Sequence, residues 1–284
     1  MSDLLISAAQ LQTGLQGGGW LVFDVRHDLA DHDAGRLAYE QGHVPSAFYL
    51  DHERQLSAPK TGRNGRHPLP SLNEFASLMQ AYGLTTDTQV VVYDAGNSMF
   101  AAHLWWMLRW LGHDRVAVLD GGWQAWLEAG GQVQTGVNKA PGKPQEVAGE
   151  VKAGMPVLDV KAVEANLRDP KFTILDARAG NRFRGETEPM DPVAGHIPGA
   201  LNRPNTLNIL PDGRFKSPAE LRVEFGSVLG GAAPSTVVHQ CGSGITACHN
   251  LFAMELAGLG GSSLYPGSWS EWCSDPARPV ARGE

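Results

Sequence analysis

One short stretch, Cys241-Gly242-Ser243-Gly244-Ile245-Thr246, has residue types and spacing suited to covalent chemistry. A hydrophobic strand-like run, residues 236–240, leads into it, and a helix-like run from Ala247 to Leu259 leaves it. A cysteine at a strand-to-helix turn, followed by glycines, lets the chain wrap backbone N–H groups around one sulfur. The helix start adds its partial positive charge. Both effects favour thiolate over thiol, and a thiolate is a nucleophile. Taken alone the loop is a weak signal, because a tight turn that merely contains a packed cysteine has the same composition. The organisation of the whole chain decides between the two.

That organisation is a duplication. The first half runs through Leu21-Val22-Phe23-Asp24-Val25-Arg26, Gly42-His43-Val44-Pro45, Val90-Val91-Val92-Tyr93-Asp94-Ala95-Gly96 and Leu119-Asp120-Gly121-Gly122-Trp123. The second half repeats the order with Thr173-Ile174-Leu175-Asp176-Ala177-Arg178, Gly195-His196-Ile197-Pro198-Gly199-Ala200, Val237-Val238-His239-Gln240-Cys241-Gly242 and Tyr265-Pro266-Gly267-Ser268-Trp269. The interval from Asp24 to His43 matches that from Asp176 to His196 within one residue. The interval from Asp94 to Trp123 matches that from Cys241 to Trp269 equally well. The alignment sets Asp94 opposite Cys241, so one copy carries a nucleophile and its twin does not. His43 and His196, Trp123 and Trp269, and Arg26 and Arg178 occur in both copies, which points to bracing and packing.

Each copy alternates short β-branched runs with helical stretches, the pattern of an α/β fold with a parallel sheet covered on both faces. The run 99–111, apolar nearly all round, predicts a buried helix. Ligands of such sheets bind at the C-terminal ends of the strands, where the Cys241 loop falls. Glycines and prolines between 136 and 154 predict a linker, giving domains at 1–135 and 155–284.

With 284 residues, 42% hydrophobic and 19% charged, the chain suits two soluble domains, and disorder is not expected. A net charge of −7 without a basic stripe argues against nucleic acid and anionic membranes as partners. The first residues show neither a basic segment nor a long apolar one, and no apolar run reaches spanning length. The three cysteines, Cys241, Cys248 and Cys273, suit reduced thiols in the cytoplasm. No cysteine pair has zinc-ligand spacing, so neither metal nor cofactor is expected. Cys248, inside the apolar helical run, reads as packing.

The paired motifs together resemble the two-domain rhodanese family, which includes thiosulfate and 3-mercaptopyruvate sulfurtransferases, over nearly the whole chain. The resemblance implies two tandem rhodanese-like domains, each a mostly parallel five-stranded sheet flanked by helices, of which only the C-terminal one is catalytic. It implies that Cys241 takes a sulfane sulfur from a small anionic donor as a persulfide and passes it to a thiophilic acceptor: cyanide, a thiol or thioredoxin. The N–H groups of Gly242, Ser243, Gly244, Ile245, Thr246 and Ala247, with the Thr246 hydroxyl, would hold the persulfide. Neutral Gly242 and Ser243 give a slight lean to 3-mercaptopyruvate over thiosulfate. In that subfamily Ser243 would help move a proton, with His67 and either Asp51 or Glu53 behind it, although His67 also suits a loop anchor. Arg182 matches the arginine that grips the donor's anionic group. The segment Glu188-Pro189-Met190-Asp191-Pro192 lacks the second arginine that many mercaptopyruvate enzymes carry there.

Phosphatase or arsenate reductase chemistry on a related fold would need arginine at position 247, where the chain has Ala247. A binding or relay module that holds a persulfide for a protein partner without turnover remains the alternative. Turnover with small donors separates the two.

Overall fold

The computed structural model describes residues 4–145, 147, 149 and 151–284. Residues 1–3, and 146, 148 and 150 of the expected linker, lie outside the described residues. The chain forms two compact units that are not separated by a single cut. Unit 1 comprises Met1–Ala58, Pro70–Met155 and Pro211–Phe215; unit 2 comprises Pro59–Leu69, Pro156–Leu210 and Lys216–Glu284. Each unit therefore contains a short segment from the other half of the sequence.

Unit 1 holds strands β1 (Leu5–Ile6), β2 (Trp20–Asp24), β3 (Phe48–Tyr49), β4 (Gln89–Tyr93) and β5 (Val116–Leu119), in the order β1-β5-β4-β2-β3, all pairs parallel. Its helices are α1 (Ala8–Gly17), α2 (Ala34–Gln41), α3 (Leu72–Ala81), α4 (Met99–Trp110) and α5 (Gly122–Glu128). The central strands are valine-rich and buried on both faces, as a helix-covered parallel sheet requires. Trp105 and Trp106 of α4 are fully buried, which explains the absence of a polar stripe in that helix.

Unit 2 holds β6 (Thr173–Asp176), β7 (Leu201–Asn202), β8 (Val237–Gln240) and β9 (Ser263–Leu264), with helices α6 (Val160–Asn166), α7 (Gly180–Phe183), α8 (Pro218–Leu229), α9 (Ile245–Leu256) and α10 (Ser268–Trp272). The order β7-β6-β8-β9 repeats that of unit 1, again with parallel pairs. The sheet has four strands, not the expected five. The edge position filled by β1 in unit 1 is reduced here to one bridge, Val157 to Leu264, flanked by two hydrogen bonds. Pro266 stands where unit 1 has Asp120 and has no N–H to give Leu158 O as Asp120 gives Ile6 O, so the ladder stops after one bridge.

Local signals set the helix starts. Ser7 with Gln10, Ser71 with Glu74 and Ser217 with Glu220 each form a reciprocal capping box at α1, α3 and α8.

The repeated residues form the same brace twice. Arg26 forks onto Asp24, donates to Gly42 O at 2.6 Å and lies over the Trp123 ring. Arg178 does the same with Asp176, Gly195 O at 2.8 Å and Trp269. His43 stacks on Tyr39 and bonds its carbonyl through Nδ1 at 2.8 Å; His196 stacks on Phe183 and bonds its carbonyl through Nδ1, also at 2.8 Å. Each histidine also bridges an antiparallel partner, Gln134 or Ala281. A bidentate arginine–carboxylate pair ties the end of a sheet strand to the following turn.

Because Asp176 and Arg178 are both buried, removing one partner strands the other charge. Asp176→Ala should cost about 3–5 kcal/mol of stability, read as a lowered urea midpoint in tryptophan fluorescence. Asp24→Ala should do the same through Arg26.

Candidate functional site

β8 is a central strand of unit 2 and delivers Cys241 to its C-terminal end. The loop that follows is fastened to α10: Cys241 N–H donates to Ser268 Oγ at 3.1 Å, Cys241 O accepts from Trp269 N–H at 2.9 Å, and Gly242 O accepts from Ser270 N–H at 2.9 Å. Ser268 is buried in the left-handed region, φ +53°, and donates its hydroxyl hydrogen to Tyr265 O. Gly244 is also left-handed, φ +92°, and a Cβ there would lie 2.8 Å from Pro266 O. Glycine is therefore required at this turn. The N–H groups of Gly244 and Ser243 lie 3.2 and 3.5 Å from the Cys241 sulfur. The thiol is 2% exposed. Directly after Gly244, α9 begins with buried Ile245 and half-buried Thr246, so the helix's positive end faces the same loop.

His67 reaches this loop from the segment Pro59–Leu69 of unit 2. Its Nδ1 and Ser243 Oγ share a hydrogen bond of 2.7 Å, both side chains being nearly fully buried. Arg66, its neighbour, is anchored by its own N–H to Ser270 Oγ at 2.9 Å. At Gly242 a Cβ would meet Arg66 Nη2 at 2.9 Å and Arg182 Nη2 at 3.6 Å, so the absence of a side chain there lets two guanidinium groups approach the loop.

Two carboxylates hold those guanidiniums. Arg182 forks onto Glu188 at 2.6 and 3.1 Å, and Asp191 bridges Arg66 at 2.5 Å and Arg182 at 3.3 Å. Burial pushes the Asp191 carboxyl up despite both arginines. Burial also works against Glu188, but Arg182, the Met190 N–H and Arg178 outweigh it and hold that carboxyl below its usual range. An anion arriving over Gly242 would compete with these carboxylates for a ready-made pair of forks. Arg178, by contrast, is committed to Asp176 and to Gly195 O and is almost wholly buried.

Of the residues singled out from the sequence, Cys241, Gly242, Ser243, Gly244, Ile245, Thr246, Arg182 and His67 all lie in unit 2. Asp51 lies in unit 1, where its Oδ1 accepts from the Glu53 and Arg54 N–H groups and its Oδ2 pairs with Arg54. Glu53, also in unit 1, sits 3.9 Å from His32 Nδ1. Cys248 is fully buried in α9, and burial drives its thiol well up. Arg66, Asp191 and Ser268 had not been anticipated. Arg66 adjoins His67, and Ser268 aligns with Gly122, whose φ of +56° is the same left-handed requirement; those were the available signals.

The twin loop in unit 1 is built alike. Asp94 O accepts from Trp123 N–H at 2.8 Å and Ala95 O from Gln124 N–H at 3.2 Å. The Asp94 carboxylate turns inward and accepts from the N–H groups of Gly96, Ser98, Phe100 and Ala101 at 2.9–3.2 Å. A side-chain anion fills the ring of amides that in unit 2 surrounds sulfur.

Gly244→Ala should cost about 1–3 kcal/mol through the strained φ and slow alkylation of Cys241 by iodoacetamide. The paired readouts are a denaturation midpoint and the alkylation rate under native conditions.

The rhodanese-like domain model matches residues 7–129 and 159–275. A Pseudomonas aeruginosa protein named as a probable 3-mercaptopyruvate sulfurtransferase is 48% identical, covering 100% of this chain and 99% of its own. The thiosulfate sulfurtransferase of Cricetulus griseus is 33% identical over 98% of this chain and 93% of its own. The crystal structure of SseA from Escherichia coli, described as a 3-mercaptopyruvate sulfotransferase, superposes with a TM-score of 0.79 at 30% identity, covering 94% of this chain and 99% of that one.

Proposed function

The chain belongs to the rhodanese-like domain family, and on that premise we propose that it is a sulfurtransferase that carries sulfane sulfur on Cys241. The observation that supports this most directly is a buried thiol ringed by backbone N–H groups beside two arginines and a hydrogen-bonded Ser243–His67 pair. Its relatives are named for 3-mercaptopyruvate and for thiosulfate. The 48% identical relative and the neutral Gly242-Ser243 pair favour 3-mercaptopyruvate as donor.

In the first half-reaction the Cys241 thiolate attacks the donor sulfur, a sulfur–sulfur bond forms, and the carbon–sulfur bond breaks. The electron pair of the broken bond leaves with the three-carbon fragment as an enolate. The proton carried by the transferred sulfur passes to that carbon, so pyruvate departs and a persulfide anion stays. Ser243, hydrogen-bonded to His67, is the proton relay in this reading. Arg182 and Arg66 take the donor's carboxylate, and Arg66 supplies the second fork missing from the Glu188–Asp191 segment. The N–H groups of residues 242–247 hold the persulfide charge. In the second half-reaction an acceptor thiolate or cyanide attacks the outer sulfur and returns the Cys241 thiolate, which makes the kinetics ping-pong. Thioredoxin is a suitable thiol acceptor. No helix among the described residues is long and apolar enough to cross a membrane, and with the reduced thiols and acidic charge this favours a cytoplasmic enzyme without nucleic-acid partners.

Intact-mass measurement after brief exposure to 3-mercaptopyruvate should show one added sulfur in the wild type and none in Cys241→Ser. Equal gain by the variant, or no gain from either 3-mercaptopyruvate or thiosulfate, would overturn the assignment. Arg182→Met and Arg66→Met should each lower kcat/KM for 3-mercaptopyruvate by about 10- to 100-fold, the loss expected for a hydrogen bond to a charged group. Steady-state kinetics should show both variants sparing the rate at which a preformed persulfide is unloaded by cyanide.

A further inference from the structure

Unit 1 carries a second cluster of chemically capable side chains, on the loops that leave the C-terminal ends of β2 and β3. His27 follows Arg26 of the brace, and both of its ring nitrogens are buried with no hydrogen-bond partner among the described residues. Its ring is gripped edge-on by Phe100 at 5.1 Å, with the His32 and His52 rings each 5.6 Å away. Buried imidazole nitrogens that meet no donor or acceptor call for an explanation, since such groups are rare in folded proteins.

The donor atoms of His27, His32 and Glu53 all lie within 4.8 Å of one another, and His32 Nδ1 is 3.9 Å from Glu53 Oε1. The charges acting on His27 are chiefly those of Asp51 and Glu53, with Asp28 adding to them and His32 opposing, so the surroundings are acidic. The Asp51 carboxylate is engaged by Arg54 and two N–H groups, and Glu53 is the acidic residue whose oxygen lies within 4.8 Å of both histidine donors. The His32 side chain is 52% exposed and the Glu53 side chain 16%. One arm of the cluster is therefore free to swing while His27 is fixed by packing.

The duplication sharpens the reading. His27 aligns with Ala179, and Glu53, counted from the paired strands, aligns with Thr206. These residues are not part of the brace that both repeats share. They are peculiar to unit 1, as Cys241 is peculiar to unit 2.

We propose that His27, His32 and Glu53 form a binding site for a zinc-like divalent cation. Two imidazole nitrogens and one carboxylate oxygen are the donor set of borderline late first-row cations. Metal–donor lengths of about 2.0–2.2 Å set tetrahedral donors about 3.3–3.6 Å apart, so the 3.9 Å His32–Glu53 pair closes by a few tenths of an ångström and a pair at the 4.8 Å limit by up to about 1.5 Å, a movement led by the exposed His32. Three protein donors leave a position for water. The site lies at the strand ends where this fold class takes its ligands, in the repeat whose Asp94 has closed the other such position.

The test is cobalt(II) titration of the full-length apoprotein, followed by visible absorption and equilibrium dialysis, with zinc(II) as competitor. The expected result is saturable uptake of one cobalt per chain with ligand-field bands, displaced by zinc. Affinity should fall at least about tenfold in His32→Ala, since even partners outside the ligand shell cost that much. Glu53→Gln should show the same loss, and circular dichroism confirms that both variants fold. Absence of saturable uptake, uptake unchanged in His32→Ala, or a thiolate-to-cobalt charge-transfer band placing the metal on cysteine would overturn the proposal.

Discussion

The ends of both central strands hold a hydrogen-bond acceptor inside a ring of backbone N–H donors. Such a ring is costly to leave empty, because buried amides without acceptors lose their hydration and gain nothing in return. In unit 1 the chain satisfies it permanently: Asp94, fully buried, accepts four amides. Burial pushes that carboxyl up, while the four amides act in the opposite direction. In unit 2 the occupant is a single sulfur that receives two amides. The carboxylate fills its turn with four accepted amides, whereas the sulfur accepts two. The same loop thus holds a carboxylate in one half and a thiol in the other through a change of side chain.

The braces set how well that ring is held. A buried ion pair is weak evidence for stability, since desolvation of both charges offsets most of their attraction. Asp24–Arg26 and Asp176–Arg178 are better understood as fixing direction. Each arginine ties a strand end, a carbonyl in the following turn and an indole face into one unit. Arg66 and Arg182 use the same chemistry differently. They remain partly exposed, and their carboxylate partners are ones that an incoming anion can rival.

The repeat made most of this architecture readable in advance, because four blocks recur at matched intervals and anything shared must be scaffold. It also exposed Cys241 by contrast with Asp94. The reading was less complete where spatial neighbours are far apart in sequence. Arg66 approaches Gly242 across a long chain separation, and no local pattern marks such a meeting. Ser268 escaped notice because a left-handed φ at a serine is invisible without the backbone, although Gly122 in the twin hinted at it. The fifth strand of the second sheet was expected from symmetry and fails at Pro266, which lacks the N–H that Asp120 gives to Ile6 O in the first.

The trading of short segments between the halves has a genetic corollary. A gene duplication first yields two interchangeable copies, either of which could be lost or recombined without harm to the other. Once Pro59–Leu69 packs with unit 2 and Pro211–Phe215 with unit 1, that freedom is gone. A copy beginning at Pro156 would inherit the cysteine and Arg182 but not His67 or Arg66, and a copy ending at Met155 would lack the segment that donates Phe215 N–H to Asp120. Selection on either half must then preserve the other, so the two repeats can drift apart in sequence yet remain a single heritable unit.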